Sequence, residues 1–260
     1  MKRAAIFFSL CLTAAWAASN WSMPLVGLAR DAKNHLHPVY GVAGSFVLRS
    51  AVSGEALNWA FGASGGLVET DGELQVLDAR ANVIGRRALP AGRLILSPGY
   101  AFFPETGELW PAAAGAGGSI MIDPTAIAGR VVALGPGDQR GIVVAACRAD
   151  QLWLLTFDIR NGALMHESVP GGSIGEQACA QGGALLVLRD GLLVAAAHEI
   201  VIQTTGQERY VPIPPNHGAR IHRAGEDTVQ IELPGSPSQM VRITAEGERL
   251  YELPAAEARP

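Results

Sequence analysis

Four carboxylates, Asp71, Glu105, Asp150 and Glu199, stand where the chain turns between the second and third strands of successive strand groups. Gathered together, such groups could bind a cation or a polar ligand. With Trp110 as a stacking platform they could also serve as acid and base on a glycan. The plainer reading is that Asp and Glu are ordinary turn residues, and Asp71-Gly72 is a turn signal by itself. Histidine is the next candidate. His35-Leu36-His37 has the alternate spacing that puts both imidazoles on one side of a strand, where they could bind zinc. Pro38 follows at once and Asp31 is the one other ligand type nearby, so loop histidines without a metal are expected. His166, His198, His217 and His222 are scattered.

Other chemistries find less support. Gly-x-Ser-x-Gly occurs at 62–66 and at 171–175, but neither stretch is expected to lie on the strand-to-helix turn of a nucleophile elbow, and there is no calcium loop of alternating Asp residues. Gly172-Ser-Ile-Gly175 and Gly117-Gly-Ser-Ile120 are glycine-rich. Neither is expected to precede a helix, so neither is expected to cradle phosphate. Of the tryptophans, Trp153 reads as core and Trp110, beside a glycine loop, as exposed. No cofactor is expected.

Composition bounds the class. The 260 residues carry a formal charge of −4, with 48% hydrophobic and only 17% charged residues, and with 31 Gly and 16 Pro. Short strands joined by tight turns give this profile. A mildly acidic chain lacks the basic face a nucleic-acid partner usually requires. At the start, Lys2 and Arg3 precede an apolar run from Ala4 to Ala15 and the small-x-small site Ala15-Trp16-Ala17. Residues 1–18 therefore read as a secretory signal cut near Ala17 or Ala18. The run falls short of the roughly 20 residues of a membrane span. The expected location is periplasmic or extracellular, with no membrane span. Beyond the leader the chain keeps Cys147 and Cys179, open to a disulfide or to two buried thiols.

The elements that must position these residues are strands in repeat. Val169-Pro170, Val211-Pro212 and Leu253-Pro254 lie 42 residues apart, twice over, and Asp78, Arg80 and Pro90 return as Asp158, Arg160 and Pro170. Within one unit, 131–134, 141–147, 151–158 and 163–169 read as four strands, with Asn161-Gly162 as a hairpin turn. No stretch after residue 20 shows sustained helical spacing. Four-stranded units of about forty residues resemble the blades of the β-propeller superfamily over residues 56–254. The Trp-Asp pairs of WD40 blades and the Gly-Gly placement of kelch blades are missing. A β-solenoid or split sandwich is the alternative.

The resemblance implies an all-β propeller of about five four-stranded blades, six being possible. Residues 19–55 are expected to be an N-terminal segment with a loop at 31–38 and one strand at 44–50. That strand either closes the ring or belongs to a sixth, partial unit. Residues 255–260 are expected to be a disordered tail. The first strand of each blade would line a channel, and these strands carry no carboxylate. Cys147 and Cys179 would fall on one face, so a bridge is reasonable there. The resemblance thus suggests an exported, non-catalytic scaffold presenting loops to an unknown protein or glycan partner. An extracellular carbohydrate hydrolase or lyase using the loop carboxylates is the alternative.

Overall fold

The computed structural model describes residues 23–253, apart from 43–44, 114–117, 139, 181–183, 197, 205–206, 215–217, 234–237 and 245–246. The leader reading, the tail at 255–260, the turns at 205–206 and 245–246, Pro254, His217 and Gly182 lie outside the described residues. Six antiparallel sheets follow one another along the chain. The first holds β1 (Leu25–Arg30), β2 (His35–Val42), β3 (Ser45–Leu48) and β4 (Ser53–Glu55); the second, β5 (Asn58–Gly62), β6 (Gly65–Thr70), β7 (Glu73–Leu77) and β8 (Val83–Ala88). The third holds β9 (Ile95–Ser97), β10 (Tyr100–Phe103), β11 (Glu108–Pro111) and β12 (Ile120–Met121); the fourth, β13 (Arg130–Pro136), β14 (Gly141–Arg148), β15 (Gln151–Asp158) and β16 (Leu164–Ser168). The fifth holds β17 (Leu185–Val187), β18 (Gly191–Ala195), β19 (Glu199–Thr204) and β20 (Gln207–Pro212); the sixth, β21 (Arg220–Arg223), β22 (Thr228–Glu232), β23 (Gln239–Thr244) and β24 (Gly247–Glu252). The fold is a six-bladed β-propeller.

Why these strands make blades is visible in the side-chain alternation. In β9, Ile95 faces the cluster shared with the fourth sheet, while Leu96 and the preceding Leu94 face the cluster shared with the second. Val131 and Val132 of β13 divide in the same way between the third and fifth sheets. Each sheet is thus apolar on both faces and buries each against a neighbour. Six clusters fill the six interfaces. Among the described residues, the smallest joins the sixth sheet to the first, with Ala29, Val39, Ala224, Met240 and Leu253 buried.

The N-terminal segment differs from expectation. It forms a sheet of its own, the sixth unit, and not a strand that closes another blade. The expected loop at 31–38 is the turn of the β1–β2 hairpin together with the first half of β2. Proline discourages a strand assignment because it cannot donate to the ladder. Here β3 pairs with Val39–Val42 and β4 with His35 and Leu36, so Pro38 falls where the outer strand is broken. The Pro38 carbonyl faces that break and accepts from Arg49 N at 3.1 Å. No donor is missed at this position. Because β3 and β4 both pair with β2, the first sheet is three strands deep.

Among the described residues, two short helices lie between strands of the all-β fold. α1 (Pro124–Ile127) begins at Asp123, whose Oδ1 accepts from Thr125 N at 2.9 Å. α2 (Ile174–Ala180) lies between β16 and β17, with Ile174, Ala178 and Cys179 buried against the fourth and fifth sheets. At this length neither leaves a periodic signature. No helix among the described residues is long and apolar enough to cross a membrane.

Candidate functional site

The four turn carboxylates stand where the strand reading put them. Asp71 lies between β6 and β7, Glu105 between β10 and β11, Asp150 between β14 and β15, and Glu199 opens β19. Each belongs to a different sheet, and the first three are exposed. No three of them converge: among the described residues, the one group of three or more His, Cys, Asp or Glu with ligand atoms within 4.8 Å of one another is Asp31, His35 and His37. Trp110 is half-buried, not exposed. Its ring tilts against Phe103 at 4.7 Å between centroids, and its Nε1 donates to Glu108 Oε2 at 2.9 Å. Arg87, Glu108, Gly118 and Ser119 complete a shallow recess beside it, of about 490 Å³. Trp153 is partly buried against the core, with the Arg148 guanidinium 5.0 Å over its ring.

Gly172 and Ser173 do precede a helix, contrary to expectation. The start of α2 is already occupied by an anion of the chain itself. Ser173 Oγ donates to Glu208 Oε2 at 3.3 Å and Ile174 N to Glu208 Oε1 at 3.4 Å. Tyr210 Oη donates to the same carboxylate at 2.7 Å. The Tyr210 hydroxyl holds the Glu208 carboxyl below its usual range against slight burial, and the α2 donors add to this. No phosphate site remains there. At the far end of α2, Cys179 is bonded to Cys147 of β14, with the Cα atoms 5.7 Å apart.

The histidines separate into two environments. His35 and His37 meet Asp31, the one ligand type nearby in sequence, at the β1–β2 turn. His37 Nε2 is 3.0 Å and His35 Nδ1 3.7 Å from Asp31 Oδ2. Partial burial works against ionisation of Asp31, but the backbone N–H groups of His35 and Lys33 and the His37 ring hold its carboxyl below the usual range.

His222 is buried at the inner seam. Sequence reasoning missed its role because, besides Glu232 on the adjacent β22, its partners Arg30 and Trp59 lie at the other end of the chain on β1 and β5. Its ring stacks on Trp59, and Arg30 lies 5.0 Å from the other ring of that pair, over Trp59. Arg30 forms a two-pronged pair with Glu232, Nε donating to Oε1 at 2.9 Å and Nη2 to Oε2. Burial keeps His222 neutral and its pKa below the ordinary value, with Glu232 opposing. Its Nε2 is 3.8 Å from Glu232 Oε2, too long for a hydrogen bond, so Glu232 acts on it chiefly as a charge.

The first and last sheets, with Phe61, Gly62, Ala63 and Ala79 of the second, leave a cleft of about 640 Å³. Leu25, Phe46, Phe61, Met240 and Tyr251 line it, with Glu226 and Arg242 among its polar residues. Phe46 and Tyr251 meet edge to face at 5.4 Å across the seam.

No family model and no curated protein matches the chain. Solved structures with similar architecture include Hsv2 of Kluyveromyces marxianus, at 9% identity and TM-score 0.43 over 85% of this chain and 79% of that one. PorZ of Porphyromonas gingivalis, described as a surface component of the type-IX secretion system, is similar at 13% identity and TM-score 0.46. The match spans 92% of this chain and only 40% of PorZ. Apo AztD of Citrobacter koseri is similar at 13% identity and TM-score 0.37, over 88% of this chain and 70% of that one. These are likenesses of fold.

Proposed function

We propose that this protein is an exported, non-catalytic propeller scaffold that holds an apolar side chain of a protein partner in the cleft between its first and last sheets. The cleft carries the reading. It combines aromatic and aliphatic walls with a few polar groups at its margin, the arrangement expected of a recognition site. Val42, which lines it, is 64% exposed. Export is supported by the leader-like residues 1–18 and by the Cys147–Cys179 bridge, which persists in oxidising compartments.

The test compares the mature chain with Val42→Asp in a pull-down from the exported fraction, run beside a glycan array. A partner retained by the native chain and lost by the variant supports the cleft. Sugar binding or glycan cleavage that survives Val42→Asp moves the function to the Trp110 recess and overturns this reading.

A further inference from the structure

The structure assigns a first-row divalent metal site, of the zinc type, to Asp31, His35 and His37 at the β1–β2 turn. This site lies at the opposite end of the hairpin from the Leu25 and Val42 that line the cleft, and stands independently of it.

Two other turns in the chain show what is unusual here. Asp78 closes the β7–β8 connection by accepting at Oδ1 from Arg80 N and Asn82 N, both at 2.8 Å, and its Oδ2 accepts a hydrogen bond from Asn82 Nδ2 at 3.0 Å. Asp158 closes β15–β16 by accepting from Arg160 N at 2.9 Å, and its Oδ2 accepts a hydrogen bond from Arg160 Nη2 at 2.5 Å. Asp31 makes the same turn, Oδ1 accepting from Lys33 N and His35 N at 2.8 Å each. In place of an amide or guanidinium donor, its Oδ2 faces two imidazoles.

The tautomer of His37 sharpens this. Its Nδ1 lies 2.7 Å from the carbonyl oxygen of Arg49. A carbonyl only accepts, so Nδ1 carries the hydrogen. Nε2 then faces Asp31 Oδ2 at 3.0 Å, a gap that a proton on Nε2 bridges as a hydrogen bond and that a metal ion bridges in its place. An imidazole whose far N–H is fixed by a backbone carbonyl is also the usual posture of a metal-bound histidine.

The spacing fits. Bonds of about 2.1 Å in tetrahedral geometry put ligand atoms about 3.4 Å apart. The observed 3.0 and 3.7 Å bracket that value. Asp31 and His37 are largely enclosed, with side-chain exposures of 12% and 14%, while His35 is 44% exposed. The set therefore supplies three protein ligands and leaves a fourth position open on the solvent side. Glu55 lies cross-strand from His35 and adds negative charge there. The nearby Arg49 guanidinium is turned away, 4.6 Å over the Tyr40 ring.

The experiment titrates Zn2+ into the untagged, chelator-stripped mature chain by calorimetry, with Co2+ absorption reporting coordination. One equivalent of Zn2+ and the intense visible bands of tetrahedral Co2+ are expected. His35→Ala removes an exposed ligand, and Asp31→Asn keeps the Oδ1 that holds the turn, so both variants retain the fold, as circular dichroism checks. Each is expected to weaken Zn2+ binding by about 10-fold or more, the scale that even outer-shell partners of a ligand carry. Less than one equivalent bound by the native chain, or unchanged affinity in both folded variants, overturns the assignment.

Discussion

Trp59 and His222 stack face to face across the seam of the ring, with centroids 3.6 Å apart and planes 11° from parallel. Their strands, β5 and β21, are the inner strands of the second and sixth sheets, and they touch directly. The first sheet sits behind this contact, its β1 packed on β22 and β5. The stack therefore joins the inner circle at the place where the chain must close on itself.

Acid should weaken this closure. The folded-state pKa of His222 is depressed by burial, so the unfolded chain takes up the proton first. The groups facing the ring are Glu232, which opposes the shift, and Arg30 and Arg220, which reinforce it. Stability is complete above the unfolded histidine value of about 6.5 and falls as pH drops below it. Glu232 extends the loss at lower pH: burial raises its carboxyl, but His222 and Arg30 more than offset this and hold it below the usual range. Urea unfolding from pH 8 to 5 is expected to show this decline, and His222→Gln should flatten its upper part. A native chain equally stable at pH 8 and 5 would count against it.

Arg30 and Glu232 form the charged half of the same closure, with side-chain exposures of 5% and 17%. Arg30 Nη1 also donates to Ala56 O at 2.9 Å, so its guanidinium ties the first sheet both to the sixth and to the segment that enters the second. Glu232→Leu leaves that cation enclosed without its partner. The expected loss is about 3–5 kcal/mol, and a double replacement with Arg30→Met should recover much of it. Denaturant midpoints of the two variants make the comparison.

Backbone also meets backbone at this seam. Leu28 N donates to Ala224 O at 2.9 Å, and a Cβ on Gly27 would stand 2.1 Å from that same oxygen. Gly27→Ala must push β1 away from residues 224–225. Among the described residues, the interface has the smallest buried cluster in the ring, so the first sheet should loosen before the others. Hydrogen exchange should show protection lost in β1 and β2 while β14 and β15 stay protected. Uniform loss across all sheets would contradict a local seam.

The repeat was legible because blades are short, contiguous and apolar on both faces, as in 141–147 and 151–158. The first sheet was not, because Pro38 and the Asp31–Asn34 turn resemble a loop until one sees that the outer strand breaks opposite the proline. Strand order, once the propeller was supposed, put Cys147 and Cys179 on one face but left a bridge and two buried thiols both open; the structure shows the bridge. The Asp31 cluster was half legible: the spacing of His35 and His37 was plain, but the carbonyl of Arg49 that fixes the His37 tautomer comes from a strand break with no sequence signature. The Arg30–Glu232 pair and the Trp59–His222 stack join opposite ends of the chain, and nothing local announces either.

The Cys147–Cys179 bridge should matter most to the junction of the fourth and fifth sheets. It closes a loop with a sequence separation of 32 and anchors α2, whose Ile174 and Ala178 are buried between those sheets. On the chain-entropy account, such a loop is worth about 3–4 kcal/mol. The double variant Cys147→Ala, Cys179→Ala is expected to lose roughly that amount in urea unfolding. Reductant should lower the native chain toward the variant's midpoint and leave the variant unmoved. Equal midpoints for the oxidised native chain and the variant would mean that α2 is held by packing and by the Glu208 cap alone.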